Sequence, residues 1–430
     1  MDVYFYTLGC KVNQYETQAM RRQLEELGFV TAEFTPGQPD VGDAVLIINS
    51  CTVTGESDRK LRQLLRRCRR EHPQAVLVLT GCMPQAFPEI AESFPEPDVI
   101  LGNAKRSELA AKLQQFLVHR TRVVDIASHG TEFEKLSIRE FQGRTRAFLK
   151  IEDGCNRFCS YCIIPYARGR VRSKPLDELE QEVRELAEQG YVEVVLVGIN
   201  LTAYGQDLGL SICDAVERVC AVEGIRRVRL GSIEPDHLTD DVIDRLAACD
   251  KLCPQFHLAL QSGCDATLKR MNRHYTTAEY RTLCDKLRSR FPNAALTTDI
   301  MVGFPGETEA EFEESLNFAK EIAFSRIHCF AYSKRAGTPA AKAAGQVPNM
   351  EKARRNRLMI AMGEWCADAY AQGLVGKTVE VLPETVREDG CLEGYTDTYV
   401  PVVVSGGKEG VLCRVCIDKQ QHGVCYGTVV

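Results

Sequence analysis

Short apolar runs alternating with segments of helical period recur along the first three-quarters of this chain, and no other feature restricts its fold as much. Runs at 3–8, 44–49, 75–80 and 99–101 read as strands, with helical patterns at 15–27, 57–70, 88–94 and 107–118 between and after them. Strands separated by helices imply a parallel sheet with helices on its faces. Residues 126–144 hold no sustained period and read as a linker. A second series follows, with strands at 148–152, 192–197, 226–230, 256–260, 295–302 and 326–331. One of its helices, 175–189, has Pro175 in its first turn and Gly190 behind it. Another opens on Thr308 and Glu311, a capping-box spacing. Six successive βα units fit a partial (β/α)6 barrel better than a doubly wound sheet, although periodicity alone does not separate the two. After a long helix around 350–371 the texture changes to short β-rich pieces at 378–382, 399–404, 411–417 and 423–430, as in a small all-β barrel. The fold class expected is therefore α/β and multidomain. A chain of 430 residues exceeds what one compact core holds. The units expected are 1–125, the linker 126–144, a barrel unit at 145–368 and a β-barrel at 369–430.

Nineteen cysteines are many for a chain with no basic-then-apolar secretory leader and no apolar run of membrane-spanning length. The cytoplasm is the expected compartment, where thiols serve metals or catalysis more often than disulfides. Most of the nineteen are expected to be small core side chains. Six are set apart by position. Cys155, Cys159 and Cys162 crowd one tight loop after the first strand of the second series. Three such thiolates suit three irons of a [4Fe–4S] cluster and leave the fourth iron open; a zinc site would need a fourth ligand that is not nearby in sequence. Cys10, Cys51 and Cys82 each follow a strand, in TLGC, INSC and LTGC. Loops after the carboxyl ends of parallel strands share one edge, so these three converge and make a second cluster site.

The Cys155-x3-Cys159-x2-Cys162 spacing resembles the radical-SAM superfamily. That resemblance implies S-adenosylmethionine on the open iron and its cleavage to a 5′-deoxyadenosyl radical. It also implies an adenine neighbour at Tyr161, which read alone is equally a core aromatic. End to end, the chain resembles the methylthiotransferases of that superfamily, which carry a three-cysteine domain, a radical-SAM domain and a C-terminal TRAM barrel. The resemblance implies two [4Fe–4S] clusters, the six cysteines as their ligands and as catalytic residues, and two uses of S-adenosylmethionine. GCKVNQYET at 9–17 and NSCTVTGESDRKLRQ at 49–63 are similar to the branch that adds a methylthio group to C2 of N6-threonylcarbamoyladenosine at position 37 of tRNA. Related branches act on isopentenyladenosine, with Gln-Met-Asn after the first cysteine, or on a ribosomal-protein aspartate, with Pro-Lys-Asn; here the string is Lys11-Val12-Asn13. VGINLTAYG at 197–205, GSIEP at 231–235, LALQSG at 258–263 and TTDIMVGFPGET at 297–308 match the radical-SAM core. On that basis Gly198, Ser232, Glu234, Gln261 and Asp299 are candidate cofactor contacts. GKTVEVLPE at 376–384 resembles the TRAM barrel, where Tyr395 and Tyr399 offer aromatic surface for bases.

A net charge of −6 argues against indiscriminate coating of nucleic acid. Two local runs stand out against it. Arg59, Lys60, Arg62, Arg66, Arg67, Arg69 and Arg70 share one helical segment, and Arg168, Arg170, Arg172 and Lys174 form a second run. Each reads either as a solvated face or as a patch for the phosphates of an anticodon loop. A flavodoxin or ferredoxin is the electron donor that the resemblance implies; no DNA and no membrane partner is expected. The competing class, an iron–sulfur protein that binds RNA without turnover, would show no cleavage of S-adenosylmethionine.

Overall fold

The structure is a computed structural model that describes residues 1–141 and 145–430. Its first unit is a six-stranded, wholly parallel sheet. In sequence the strands are Asp2–Thr7, Val30–Glu33, Val45–Ser50, Val76–Gly81, Val99–Leu101 and Val123–Asp125; in space the second lies outside the first. Every residue of Val45–Ser50 and Val76–Gly81 is buried, as parallel strands covered on both faces require. Val30–Glu33 was not expected from sequence. It is a short, largely exposed edge strand without an apolar run, and only its register against Asp2–Phe5 defines it.

In the second unit all six expected strands form: Ala147–Lys150, Glu193–Val197, Arg227–Leu230, Gln255–Leu258, Ala295–Val302 and Arg326–Ala331. The two-residue Ser232–Ile233 joins the second sheet to the first just beyond Gly231. Spatial order follows chain order throughout, without the reversal a doubly wound sheet needs, and this makes the unit a partial barrel. Thr308 and Glu311 form the capping box. Pro175 sits one position before the Leu176–Glu188 helix instead of in its first turn, because its ψ of 142° is extended.

The chain ends in a closed five-stranded barrel that follows the Asn349–Gln372 helix. Leu392–Thr396 is a strand that the polar sequence did not announce. The expected strand at 399–404 starts instead at Pro401, since Tyr399 turns the chain with φ 66°.

The two larger units share a core. The Lys11–Glu25 helix gives Val12, Tyr15 and Ala19 to the barrel's cluster while Met20 and Leu24 face its own sheet. Residues 126–141 hold no helix or strand, yet Phe133, Leu136, Ile138 and Phe141 are buried, so this segment is a packed strap; 142–144 lie outside the described residues. Beneath the strap lies a buried ionic network. Glu16 accepts from Arg168 at 2.7 Å and Lys150 at 3.1 Å, and Arg106 reaches both Glu16 at 2.5 Å and Glu134 at 2.8 Å. Asp153 pairs with Lys150 at 3.0 Å and Arg168 at 3.1 Å. No helix among the described residues is long and apolar enough to cross a membrane.

Candidate functional site: two cysteine triads and the cavity beside them

Cys155, Cys159 and Cys162 lie between the Glu152–Asp153 strand and the Ile164–Arg168 helix. The loop starts on Gly154, whose φ of 89° favours glycine and whose missing Cβ would collide with the Arg170 carbonyl. The Cys155 N–H donates to the Gly169 carbonyl at 3.0 Å, and the Arg157 N–H points at Cys155 Sγ from 3.5 Å. Arg273 places a guanidinium nitrogen 3.2 Å from Cys159 Sγ while its other arm holds Glu234. Burial pushes the Cys155 thiol up to about 12, and Cys159 and Glu152 add to the effect; Cys162 rises to about 12 by burial and by its two fellow cysteines. Thiols raised in this way become thiolates only beside strong positive charge, which an iron–sulfur core would supply. Among the described residues, no three His, Cys, Asp or Glu side chains close on a single ion. Gly154→Ala is expected to cost at least about 2 kcal/mol from strain and overlap. It should lower the iron retained by this loop, read by iron analysis of purified protein; a variant with unchanged iron content refutes that role for the glycine.

The second triad arises as expected from strand ends. The first, third and fourth strands are neighbours in the sheet; Cys51 and Cys82 follow the third and fourth directly, and Cys10, a short turn beyond Thr7, precedes the Lys11–Glu25 helix. A Cβ on Gly9 would lie 2.9 Å from Cys51 Cβ, and Gly81, with φ 103°, lets the last loop pass against Ser50. Burial raises Cys51 to about 12, with Cys82 and Cys10 contributing and Arg168 opposing. The Asn103 amide points at Cys82 Sγ from 3.6 Å, and Asn13 contacts Cys10 Sγ at 3.3 Å. Cys68, by contrast, is buried on the apolar side of the basic helix.

A cavity of about 320 Å³ lies between the units. Cys10, Lys11 and Val12 form one wall; Gly198, Ser232 and Asp299 come from the barrel, and Tyr399 from the small barrel. Three of the six expected cofactor contacts therefore share one space. The other three do not line it. Glu234 is held by Arg273, and Tyr161 meets Phe304 edge-on at 6.3 Å. Gln261, with φ 68°, bonds through its backbone to Asp299 and Met301. Sequence reasoning missed Arg273, the His257–His328 ring pair at 5.7 Å, and Glu152. Glu152 is pushed up to about 8 by burial and by Asp153, against the N–H groups of Asn200 and Ile199 that it accepts. None of these stands in a distinctive spacing, so only the fold reveals them.

The basic runs part company. In the Gly55–Glu71 helix, Arg59, Lys60, Arg62, Arg66 and Arg70 are exposed, although Arg59 pairs with Glu56, Arg66 with Glu96 and Arg70 with Glu71; Arg67 is tied to Glu71 and Arg69 to Asp98. The second run is not a surface patch: Arg168, Arg172 and Lys174 are buried in ion pairs with Glu16, Asp153 and Glu182, and only Arg170 is exposed, 4.8 Å from the Phe158 ring. Tyr395 and Tyr399 are likewise not a free platform. They stack on each other at 4.7 Å and cover Arg146, which lies 5.0 Å from both rings.

Residues 149–319 match the radical SAM superfamily, and residues 2–102 match a family described as uncharacterized protein family UPF0004. Threonylcarbamoyladenosine tRNA methylthiotransferase MtaB of Bacillus subtilis (strain 168) is 39% identical over 443 residues, covering 100% of this chain and 96% of its own length. The protein of the same name from Thermotoga maritima is 38% identical, covering 94% and 91%. A tRNA-2-methylthio-N(6)-dimethylallyladenosine synthase of Clostridium botulinum (strain Loch Maree / Type A3) is 36% identical, covering 95% and 92%. Among solved structures, the radical S-adenosylmethionine methyltransferase TsrM from Kitasatospora setae, with cobalamin and a [4Fe–4S] cluster bound, superimposes with a TM-score of 0.56. At 14% identity, over 79% of this chain and 77% of that one, it bears on the fold alone.

Proposed function

Because the chain belongs to the radical-SAM methylthiotransferases, we propose that it adds a methylthio group to C2 of N6-threonylcarbamoyladenosine in the anticodon loop of tRNA, with each cysteine triad holding a [4Fe–4S] cluster. When bound, the cluster and S-adenosylmethionine supply a carbon radical for a C–H bond that no protein base could open. The observation that carries this reading is that Cys10, from the second triad, and Gly198, Ser232 and Asp299, from the radical-SAM unit, border one cavity.

The chain's own residues have separable tasks in it. Cys155, Cys159 and Cys162 would hold the [4Fe–4S] cluster that S-adenosylmethionine chemistry needs. Arg273 orients Glu234 and faces Cys159. Cys10, Cys51 and Cys82 would hold the second centre beside the cavity; Cys51 and Cys82 are buried, whereas Cys10 is exposed and faces that space. A base entering it must leave its stack, as single-stranded RNA permits. Lys60, Arg62 and Arg66, with Arg59, Arg67 and Arg170 at the margins, supply salt-dependent phosphate contacts. Electrons come from a small carrier such as flavodoxin or ferredoxin.

A second reading has support in the 36% identity to the dimethylallyladenosine enzyme. Mass spectrometry of tRNA nucleosides from the host with and without this gene decides between them. Loss of 2-methylthio-N6-threonylcarbamoyladenosine, with its unthiolated precursor accumulating, is expected. Loss of the methylthio-dimethylallyl nucleoside instead would transfer the assignment to the second reading.

A further inference from the structure

The cavity between the units has a surplus of positive charge that its own walls do not neutralise. Lys11 and Arg326 both line it, and neither side chain makes a hydrogen bond or ion pair among the described residues. The carboxylates nearby are already engaged. Asp299 lies 3.3 Å from the His257 ring nitrogen, and Glu193 is held by Arg229 at 3.0 Å and by Arg227 and Arg146 slightly farther off. Lys11 Nζ instead sits 5.6 Å from the Phe148 ring centre and 5.7 Å from that of Tyr399. Aromatic faces can hold an ammonium in place, but they carry no net charge to neutralise it. Lys11 is a half-buried cation facing a cavity whose one lining carboxylate, Asp299, lies against His257, and such a cation is costly unless the ligand brings an anion.

The two candidate substrates differ in this respect. The threonylcarbamoyl group ends in a carboxylate, whereas a dimethylallyl group is uncharged and would bury hydrocarbon beside unneutralised cations. We propose that Lys11 and Arg326 form the subsite that binds the carboxylate of the substrate's threonyl group and so select an anionic N6 substituent over an apolar one. Lys11 follows Cys10 directly, so the subsite and the second triad are built on the same turn at the start of the Lys11–Glu25 helix. This inference rests on the reading that the modified base is threonylcarbamoyladenosine.

The test varies the charge on the ligand as well as on the protein. Dissociation constants of the cluster-loaded protein are measured by fluorescence anisotropy for two anticodon stem–loop RNAs. One bears threonylcarbamoyladenosine and the other its carboxyl methyl ester. A charge-assisted contact is worth a factor of roughly ten or more, so the wild type should favour the acid by about that ratio. In Lys11→Met and Arg326→Gln the ratio should fall toward one, while Lys11→Arg, which keeps the charge, should retain a preference. Equal binding of acid and ester by the wild type, or an undiminished ratio in Lys11→Met, overturns the subsite. So does a weakened grip on S-adenosylmethionine in Lys11→Met with the ester ratio intact, because the cations would then serve that carboxylate. If the wild type methylthiolates only dimethylallyladenosine RNA, the functional reading fails first, and the turnover assay shows this separately from the binding ratio.

Discussion

Cys155→Ala abolishes reductive cleavage of S-adenosylmethionine and product formation together, whereas Cys51→Ala removes the methylthio product but leaves 5′-deoxyadenosine release measurable. The asymmetry follows from where the triads stand. Cys155 lies on the loop whose open iron would engage the cofactor, while Cys51 belongs to the other unit's sheet edge and borders the cavity's far side through Cys10. Each variant should hold about four irons in place of about eight after reconstitution, since each loses one cluster. Both activities disappearing in Cys51→Ala, with the barrel cluster still present by its absorbance, would mean that the triads do not act separately. Full product formation by either variant would remove the assigned triad from the chemistry.

Glu16→Gln is expected to lower the melting temperature by roughly 10 °C, because taking one partner out of a buried ion pair costs about 3–5 kcal/mol. Glu16 is fully buried and faces Arg106, Arg168 and Lys150, so the amide would leave three cations with only Asp153 and Glu134. Burial alone would raise its carboxyl; Arg106, Arg168 and Lys150 outweigh that and hold it at about 2. A depressed carboxyl stabilises the fold above its unfolded value of about 4.3, and that contribution drains away as pH falls toward 2. Asp153, held well below its ordinary value against burial by Lys150, Arg168 and Arg106, acts in the same direction. Melting curves followed by circular dichroism between neutral pH and pH 3 should thus show a steeper acid loss for the wild type than for Glu16→Gln. A variant melting within about 2 °C of the wild type at neutral pH would show that the network is not what locks the two units together.

The network also explains why one reading of the sequence failed. Arg168, Arg170, Arg172 and Lys174 look like a nucleic-acid patch because sequence displays the sign of a charge but not its partner. Glu16 lies 152 residues from Arg168 and 134 from Lys150, and no local pattern links them. The same holds for Tyr399, whose ring serves Arg146 and the cavity wall because the small barrel docks there.

What the sequence determined by itself is what repeats or clusters along the chain. Strands of the second unit such as Ala147–Lys150, Glu193–Val197 and Ala295–Val302 are legible because buried parallel strands are largely apolar. Arg227–Leu230, by contrast, carries two arginines, and Arg326–Ala331 is a largely exposed strand. The first triad is legible because its three thiols share one loop, and the second because strand ends in a parallel sheet share an edge. Tertiary structure alone decided that Cys10 and Asp299 meet across one cavity, that Glu152 is buried and pushed up to about 8, and that two cations line that space without a carboxylate partner of their own. Periodicity is a property of neighbours in the chain, whereas burial, pairing and unneutralised charge are properties of neighbours in space.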